Sequence, residues 1–457
     1  MRECQSIMKP SFLLSARQQP VSHYFDARTE SAPETHNFEA DAKADVIVVG
    51  AGFTGLSAAL TLAEAGVDVR VLDARHIGWG GSGRAWGQVA ASAKFMPAQI
   101  ETDFPSDVAE RINQAAAHAP DLVFGLVEKH GMTCDVVRTG NLIAAHIPSK
   151  EAGLARTVED LVRRGYPVEL LEGDDCRTVT GSPRYRVALH DRRGGSLNPL
   201  GYARGLARAA IGAGALIHEK TAVLGLRRDK SGWVAKTNGG EIRADAVLLA
   251  TNAFTSNALF PAIGREVFPV RAYQIVSEPL NKTQLATVLP GRQSLNDTRK
   301  LYSGIRIWPD GRLQIGIDGP PFAMDGKAYV RSAIRRIEMT YPQLKGLKWG
   351  ESWGGWVDMT VDEYPKLHAL APGLWSGYGF SGRGIAIGTI MGRDLAAHAL
   401  SRPEEAVHPI SPLQPKIWHA FHRPLVSALI NWNRAHDRVS DLFYSKLGEN
   451  AGLNKGR

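Results

Sequence analysis

The sequence predicts an α/β chain: a parallel-sheet nucleotide-binding domain interleaved with a second, sheet-based domain of α+β character. Three observations predict it. An apolar run, Asp45 to Val49, leads into Gly50-Ala51-Gly52-Phe53-Thr54-Gly55 and a helix-like stretch. The next apolar run ends in an acid, Asp73. Two further glycine clusters, Gly78 to Gln88 and Gly377 to Gly384, lie far apart with strand-like runs between them.

The first unit reads as strand, helix, strand. Gly50 allows the tight turn out of the strand, Gly52 lets a pyrophosphate approach the backbone, and Gly55 lets the helix pack close. Phosphates then rest on the free N–H groups and positive end of that helix, near Phe53 and Thr54. Leu56, Ala59, Leu60 and Ala63 follow i, i+3, i+4, i+7 spacing and give the helix a face to bury. Gly66 is its stop signal. Asp73 and Ala74 follow the second strand, and the Asp73 carboxylate suits ribose hydroxyls. This is a Rossmann-like unit, and by itself it admits NAD or FAD. The distant clusters favour FAD, because one extended cofactor can touch all three.

Further along, helices are expected near 106–130, 150–164, 201–213 and 385–400, with another at about 425–447. Turn signals at Lys230-Ser231-Gly232 and Asn238-Gly239-Gly240 separate three strands, 222–228, 233–237 and 241–249. Strand-like runs follow at 273–277, 302–308 and 313–317. The expected boundaries are a polar tail at 1–43 and a discontinuous nucleotide domain at 44–100, 185–265 and 351–400. A substrate-binding domain takes 101–184 and 266–350, and a helical extension 401–457. Within the tail, Ser11 to Ala16 is a short apolar patch, Glu3 and Asp26 weaken a transit-peptide reading, and Met8 is an alternative start.

Composition narrows the function. The 457 residues are 44% hydrophobic and 22% charged, ordinary for a globular protein of two or three domains. Net charge is +8, but the basic residues occur as dispersed doublets such as Arg163-Arg164 and Arg335-Arg336. Nucleic-acid binding wants a concentrated stripe, so none is expected. A mildly basic surface or attraction for an anionic substrate or membrane surface remains. Cys4, Cys134 and Cys176 form no CxxC pair, so no metal site or disulfide scaffold is expected, and a reducing cytoplasm fits. No run reaches the ~18 apolar residues of a membrane span.

Several motifs together carry a resemblance. They are Val48 to Ser57, Gly81-Ser82-Gly83-Arg84 with Gly87-Gln88, and Arg271-Ala272-Tyr273-Gln274. Pro309 to Leu313, Trp353-Gly354-Gly355, Thr360 to Pro365 and Ser381-Gly382-Arg383-Gly384 complete the set. In this order the chain, from about residue 22 onward, resembles the D-amino-acid-oxidase-type FAD-dependent oxidoreductases, in particular the gamma-glutamylputrescine oxidoreductase-like subgroup. The resemblance implies an extended FAD that meets Gly50, Gly52, Gly55 and Asp73. It continues past Ser82, Gly83, Arg84, Gly87 and Gln88 toward the isoalloxazine. Val223 would sit near the adenine, with Ala250 and Thr251 at the cleft floor. Gly379, Ser381, Gly382, Gly384 and Ile385 would bring backbone N–H groups to the pyrimidine end, where they stabilise reduced flavin.

Two departures from the subgroup pattern stand out. Ala85 and Trp86 replace Asn and Gly in the loop after the second strand, and Arg383 replaces His in the C-terminal motif. Sarcosine-oxidase relatives attach FAD through a C-terminal cysteine; none follows Cys176, so non-covalent FAD is expected. The implied reaction oxidises a C–N bond of an amine or amino acid, with hydride passing to flavin N5 and the imine hydrolysing in water. Electrons go to oxygen, or alternatively to a partner or quinone. A non-catalytic flavin module is the third reading. Substrate-pocket candidates are Trp86, Tyr273, Gln274, Arg306, Trp353 and Arg383. Arg306 shares a strand face with Tyr302 and Gly304 and reads equally as a surface ion pair. Trp353 reads either as a core aromatic or as a wall of the site. The expected partners are a small amine or amino-acid substrate, neutral or anionic, and an electron acceptor or a second copy of the chain.

Overall fold

The computed structural model describes residues 23–35, 38, 41–255, 259–301, 303–319 and 327–453; of 23, 327, 328 and 442–453 it describes the backbone. Met8, Ser11 to Ala16, Cys4 and Tyr302 lie outside these residues.

The first sheet is built on β1 (Ala42–Val49), whose buried Val46 to Val49 run parallel to β2 (Val69–Leu72) and β3 (Glu241–Leu249). Helix α1 (Phe53–Glu64) connects β1 and β2, giving the expected crossover. The full order is 366–371, 374–378, β3, β1, β2, 216–218, with the hairpin 223–237 attached to β3. A continuous apolar β1 is what a sheet covered on both faces requires. One face carries α1 and the helix Pro199–Gly212 against Val46 and Val48. The other carries Ile47, Val49 and Trp233.

Among the described residues the second sheet has eight strands and is antiparallel except for one pair, Ser294–Asp297 beside Asn141–Ala144. Its wall nearest the first sheet comprises β4 (Phe268–Pro279), β5 (Ser303–Ile307), β6 (Arg312–Gly319) and β7 (Trp349–Met359). In register across it stand Gly304, Gly316, Gln274 and Trp353, and beside them Asp318, Ala272 and Gly355. Helix α2 (Ala386–Ala399) packs tightly on α1, since a side chain at Gly392 would lie 2.4 Å from the Thr54 carbonyl. Helix α3 (His422–Leu453) closes the chain.

Three expected boundaries change. Strands 187–191 and β7, assigned to the nucleotide domain, pair in the second sheet. The helix Ser106–Lys129, assigned to the substrate domain, buries Ala109, Ile112 and Val123 in the nucleotide core. The tail docks from residue 23: Phe25 is fully buried, with its ring 5.5 Å from Trp308 and 4.9 Å from Trp353. Apolar Tyr24-Phe25 between polar neighbours was the signal for that anchor.

Candidate functional site: a cavity between the two sheets

A cavity of about 1070 Å³ separates the sheets, and the glycine turn after β1 forms part of its wall. Gly50 has φ +111°, and a Cβ there would lie 2.7 Å from the Ala250 carbonyl. A Cβ on Gly55 would fall 1.9 Å from the Gly50 carbonyl, so α1 can start here only on glycine. Asp73 braces the turn: its two oxygens accept N–H bonds from Ala51 (2.8 Å) and Arg75 (2.7 Å). Burial pushes this carboxyl up, and the two donors oppose it. Ser82 accepts from the Phe53 N–H at 3.0 Å and closes the second glycine loop onto the first.

Arg84 is buried and donates to the Trp79 carbonyl at 2.9 Å. Burial, with Arg271 nearby, pulls its guanidinium down to about 10. Gln88 donates to Ser294 (3.0 Å) and accepts from Asn296 (3.1 Å) and Arg383 (3.3 Å). Arg383 lines the main cavity and also a small neighbouring one of about 40 Å³.

Most expected cofactor positions meet in this cavity. Gly50, Gly52, Phe53, Thr54, Asp73, Ala74, Ser82, Arg84, Gly87 and Gln88 line it. So do Val223, Ala250, Thr251, Ser381, Gly382, Arg383, Gly384 and Ile385. Gly55, Gly83 and Gly379 lie behind that wall: a Cβ on Gly83 would stand 2.3 Å from the Gly78 carbonyl, and one on Gly379 2.6 Å from the Thr360 methyl. The N–H groups of Gly379 and Ser381 are not offered to the cavity. Asp358 takes them, through Oδ2 and through its carbonyl at 3.1 Å, and Oδ2 also accepts from Phe380 at 2.8 Å.

The substrate-side candidates divide. Trp86 lines the cavity and lies on Gly304; Gln274 also faces in. Tyr273 does not, because alternation along β4 turns it into the core, where it stacks on Tyr329 at 5.6 Å. Trp353 shares the cavity face but is roofed by the second loop, donating to the Arg84 carbonyl at 3.2 Å. Arg306 is 1% exposed and is neither a surface ion pair nor a cavity group. It donates to the Leu197 carbonyl (2.9 Å) and Gln314 (3.1 Å) and lies over the Trp308 ring at 3.5 Å. Its second bond to the Gly87 carbonyl (3.4 Å) makes it a positioning residue for the loop.

Sequence reasoning missed three cavity groups. Lys94 pairs with Glu363 at 3.2 Å. Asp318, on β6, opens into the cavity with no hydrogen-bond or ion-pair partner among the described residues. Its walls push the carboxyl up to about 7, against the pull of Lys94. Asp358 is the third; its burial raises it despite the N–H bonds it accepts. An acid inside a strand gives no spacing signal that marks such a role.

A glycine cradle that a methyl group would fill, an acid-free first helical turn and a cavity above typical small-ligand size fit an extended dinucleotide. Gly50, Gly52 and the start of α1 would hold its phosphates, and Asp73 its ribose. The fold and the cavity thus define a two-domain dinucleotide-dependent oxidoreductase.

Residues 45–398 match the family described as FAD dependent oxidoreductase (DAO), and the chain belongs to it. FAD is its cofactor. The chain is 30% identical to the probable oxidoreductase OrdL of Rhizobium meliloti over 394 residues, covering 85% of this chain and 91% of that one. It is 30% identical to the gamma-glutamylputrescine oxidoreductase of Escherichia coli, covering 82% and 88%. The crystal structure of glycine oxidase from Geobacillus kaustophilus superposes with a TM-score of 0.69 at 24% identity, over 82% of this chain and 99% of that one.

Proposed function

We propose that this enzyme oxidises the C–N bond of an amine or amino acid that also carries an acidic group, and passes the electrons to oxygen. One observation carries the reading: a guanidinium, Arg383, and a carboxyl with no partner among the described residues, Asp318, open into the same cavity. The similarity to proteins named for gamma-glutamylputrescine and glycine supports it.

Each group has a task. Arg383 offers a permanent cation to the substrate's acid group. Asp318, pushed up to about 7, can take a proton from an ammonium at neutral pH and leave the nitrogen lone pair free. Trp86 and Gln274 fill the wall between them and limit the substrate's width. Apolar walls exclude water, which strengthens both electrostatic contacts. FAD, when bound, supplies the acceptor for the hydride equivalent. Arg306, through the Gly87 carbonyl, and Asp358, through the Gly379 and Phe380 N–H groups, hold the two loops in place.

A second reading, a dehydrogenase delivering electrons to a partner or quinone, draws on the apolar residues around the cavity mouth, Trp418, Leu425 and Leu429. The test is anaerobic mixing of the yellow holoenzyme with a panel of amines and amino acids. Flavin bleaching by an acid-bearing amine, then peroxide on admitting air, is the expected result. Bleaching without peroxide selects the second reading, and no bleaching by any amine overturns the first.

A further inference from the structure

Lys94 and Glu363 line the cavity together with Asp318, although the three come from distant parts of the chain. Lys94 sits in the loop between the second glycine cluster and the helix Pro97–Asp103. Glu363 closes the turn that opens at Thr360, donating its N–H to the Thr360 carbonyl at 3.2 Å. Its φ of +59° is one that residues other than glycine seldom adopt. Neighbouring bonds hold that turn. Thr360 Oγ1 donates to the Tyr364 carbonyl at 2.9 Å, and the Tyr364 hydroxyl donates to Asp103 at 2.6 Å. Asp362, next to Glu363, takes Lys366 as its partner, which leaves Glu363 to Lys94 at 3.2 Å.

The charges around Asp318 give Lys94 its importance. Arg84, Lys300, Asp358, Glu363 and Arg383 share the cavity, with Asp73 and Arg75 at the glycine turn. β4 sets an alanine, Ala272, opposite Asp318 in the sheet. Among the described charges, Lys94 is the one that pulls on the Asp318 carboxyl. Asp318 thus stands between two opposed influences: the cavity walls favour the neutral acid, and Lys94 favours the carboxylate. Glu363 competes for the same ammonium. The Lys94 and Glu363 side chains are 32% and 35% exposed, so their pair contributes little to stability. Removing either partner therefore changes the field at Asp318 more than it changes the fold.

We propose that Lys94, tethered by Glu363, sets the pH range in which Asp318 accepts the proton of the substrate's ammonium. It acts through Asp318, as a positioning residue, and the proposal rests on the amine-oxidising reading given above. The proton passes from the ammonium nitrogen to an Asp318 oxygen, and the freed lone pair stays on nitrogen for the oxidation that follows.

The test is the pH profile of anaerobic flavin reduction by whichever amine of the panel bleaches the holoenzyme fastest. The rate should rise with pH as Asp318 ionises. A neighbouring opposite charge moves a carboxyl by about 1–3 units, so Lys94→Met should shift this limb up by about one unit and slow reduction roughly tenfold below pH 7. The lost rate should return at higher pH, which a damaged fold would not allow. Lys94→Arg should keep the wild-type limb, and Glu363→Gln should move it down, because the ammonium then acts on Asp318 undivided. A second readout needs no substrate. The part of the Tm–pH profile that Asp318→Asn flattens should extend to higher pH in Lys94→Met, since stability held by a proton is lost only as pH passes the folded-state value. An unmoved limb or an unmoved Tm profile in Lys94→Met overturns the proposal. So does a limb that Asp318→Asn leaves in place, because Asp318 is then not the base. If no amine bleaches the flavin, the amine reading fails instead, and the Tm profile still shows whether Lys94 governs Asp318.

Discussion

Gly304→Ala probes whether Trp86 shapes the site. Gly304 lies on β5 opposite Gly316 and directly under the Trp86 ring, while Gly316 lies under the Gln274 amide. A methyl group at Gly304 would stand 2.7 Å from Cε2 and Cζ2 and 2.8 Å from Cδ2. Carbon atoms prefer roughly 3.5–4.0 Å, so the ring must shift by about 1 Å. Trp86 is 6% exposed and its open side is the cavity, so the ring moves toward the ligands. Overpacking of this kind costs about 1–3 kcal/mol. If that strain is relieved when the ligand leaves, FAD or substrate affinity falls by about 5- to 150-fold. FAD affinity is read by reconstituting apoprotein and following flavin fluorescence, and substrate affinity by KM. Trp86→Ala removes the colliding ring, so Gly304→Ala should then be nearly neutral, with a coupling energy close to its whole effect. Wild-type affinities in Gly304→Ala, or an equal penalty in both backgrounds, would refute the reasoning.

Other substitutions test the neighbouring groups. Asp318, pushed from 3.8 to about 7, binds its proton more tightly folded than unfolded. Stability should therefore fall as pH rises from about 4 to 7, by at most about 4 kcal/mol, since each decade is worth about 1.4 kcal/mol. Asp318→Asn should flatten that part of the Tm–pH profile; an unchanged profile would mean that the carboxyl titrates normally. Asp358→Ala orphans the buried Gly379 and Phe380 N–H groups, at about 1–3 kcal/mol each. Its Tm and FAD content should drop, with Asp358→Asn intermediate, and an unaltered Tm would mean that water replaces the carboxylate. Gly55→Ala should yield no FAD-containing protein, whereas Gly66→Ala, with φ +82° but open space, should cost only about 1 kcal/mol by differential scanning.

The nucleotide half was readable because its constraints are local. Gly50, Gly52, Gly55 and Asp73 lie within one crossover, and the α1 periodicity fixes the buried face. Helices at 106–129, 151–163 and 386–399 closely match their expected ranges. The substrate half was less readable because strand alternation tells which residues share a face, not which face meets the cavity. Tyr273 and Gln274 are adjacent candidates, yet Ala272 and Gln274 face the cavity while Tyr273 between them faces the core. Arg306 looked like a ligand or a surface charge, but carbonyls of a distant loop hold it in the core. Asp318 and Asp358 acquire their roles only when β6 and β7 come beside the loop after residue 378. That proximity is tertiary, as is the transfer of β7 from one sheet to the other.

The interleaving of the two sheets bears on synthesis. β1 and β2 emerge early, but the neighbour that completes the nucleotide crossover, β3, is about 170 residues further along. The second sheet waits longer still, for its edge strand β7. A nascent chain therefore carries two unfinished sheets with bare apolar faces until most of it has left the ribosome, and it depends on protection from aggregation until then. FAD held in the cavity, whose lining comes from both ends of the chain, would stabilise only the completed product, so the loaded fraction in cells should follow flavin supply.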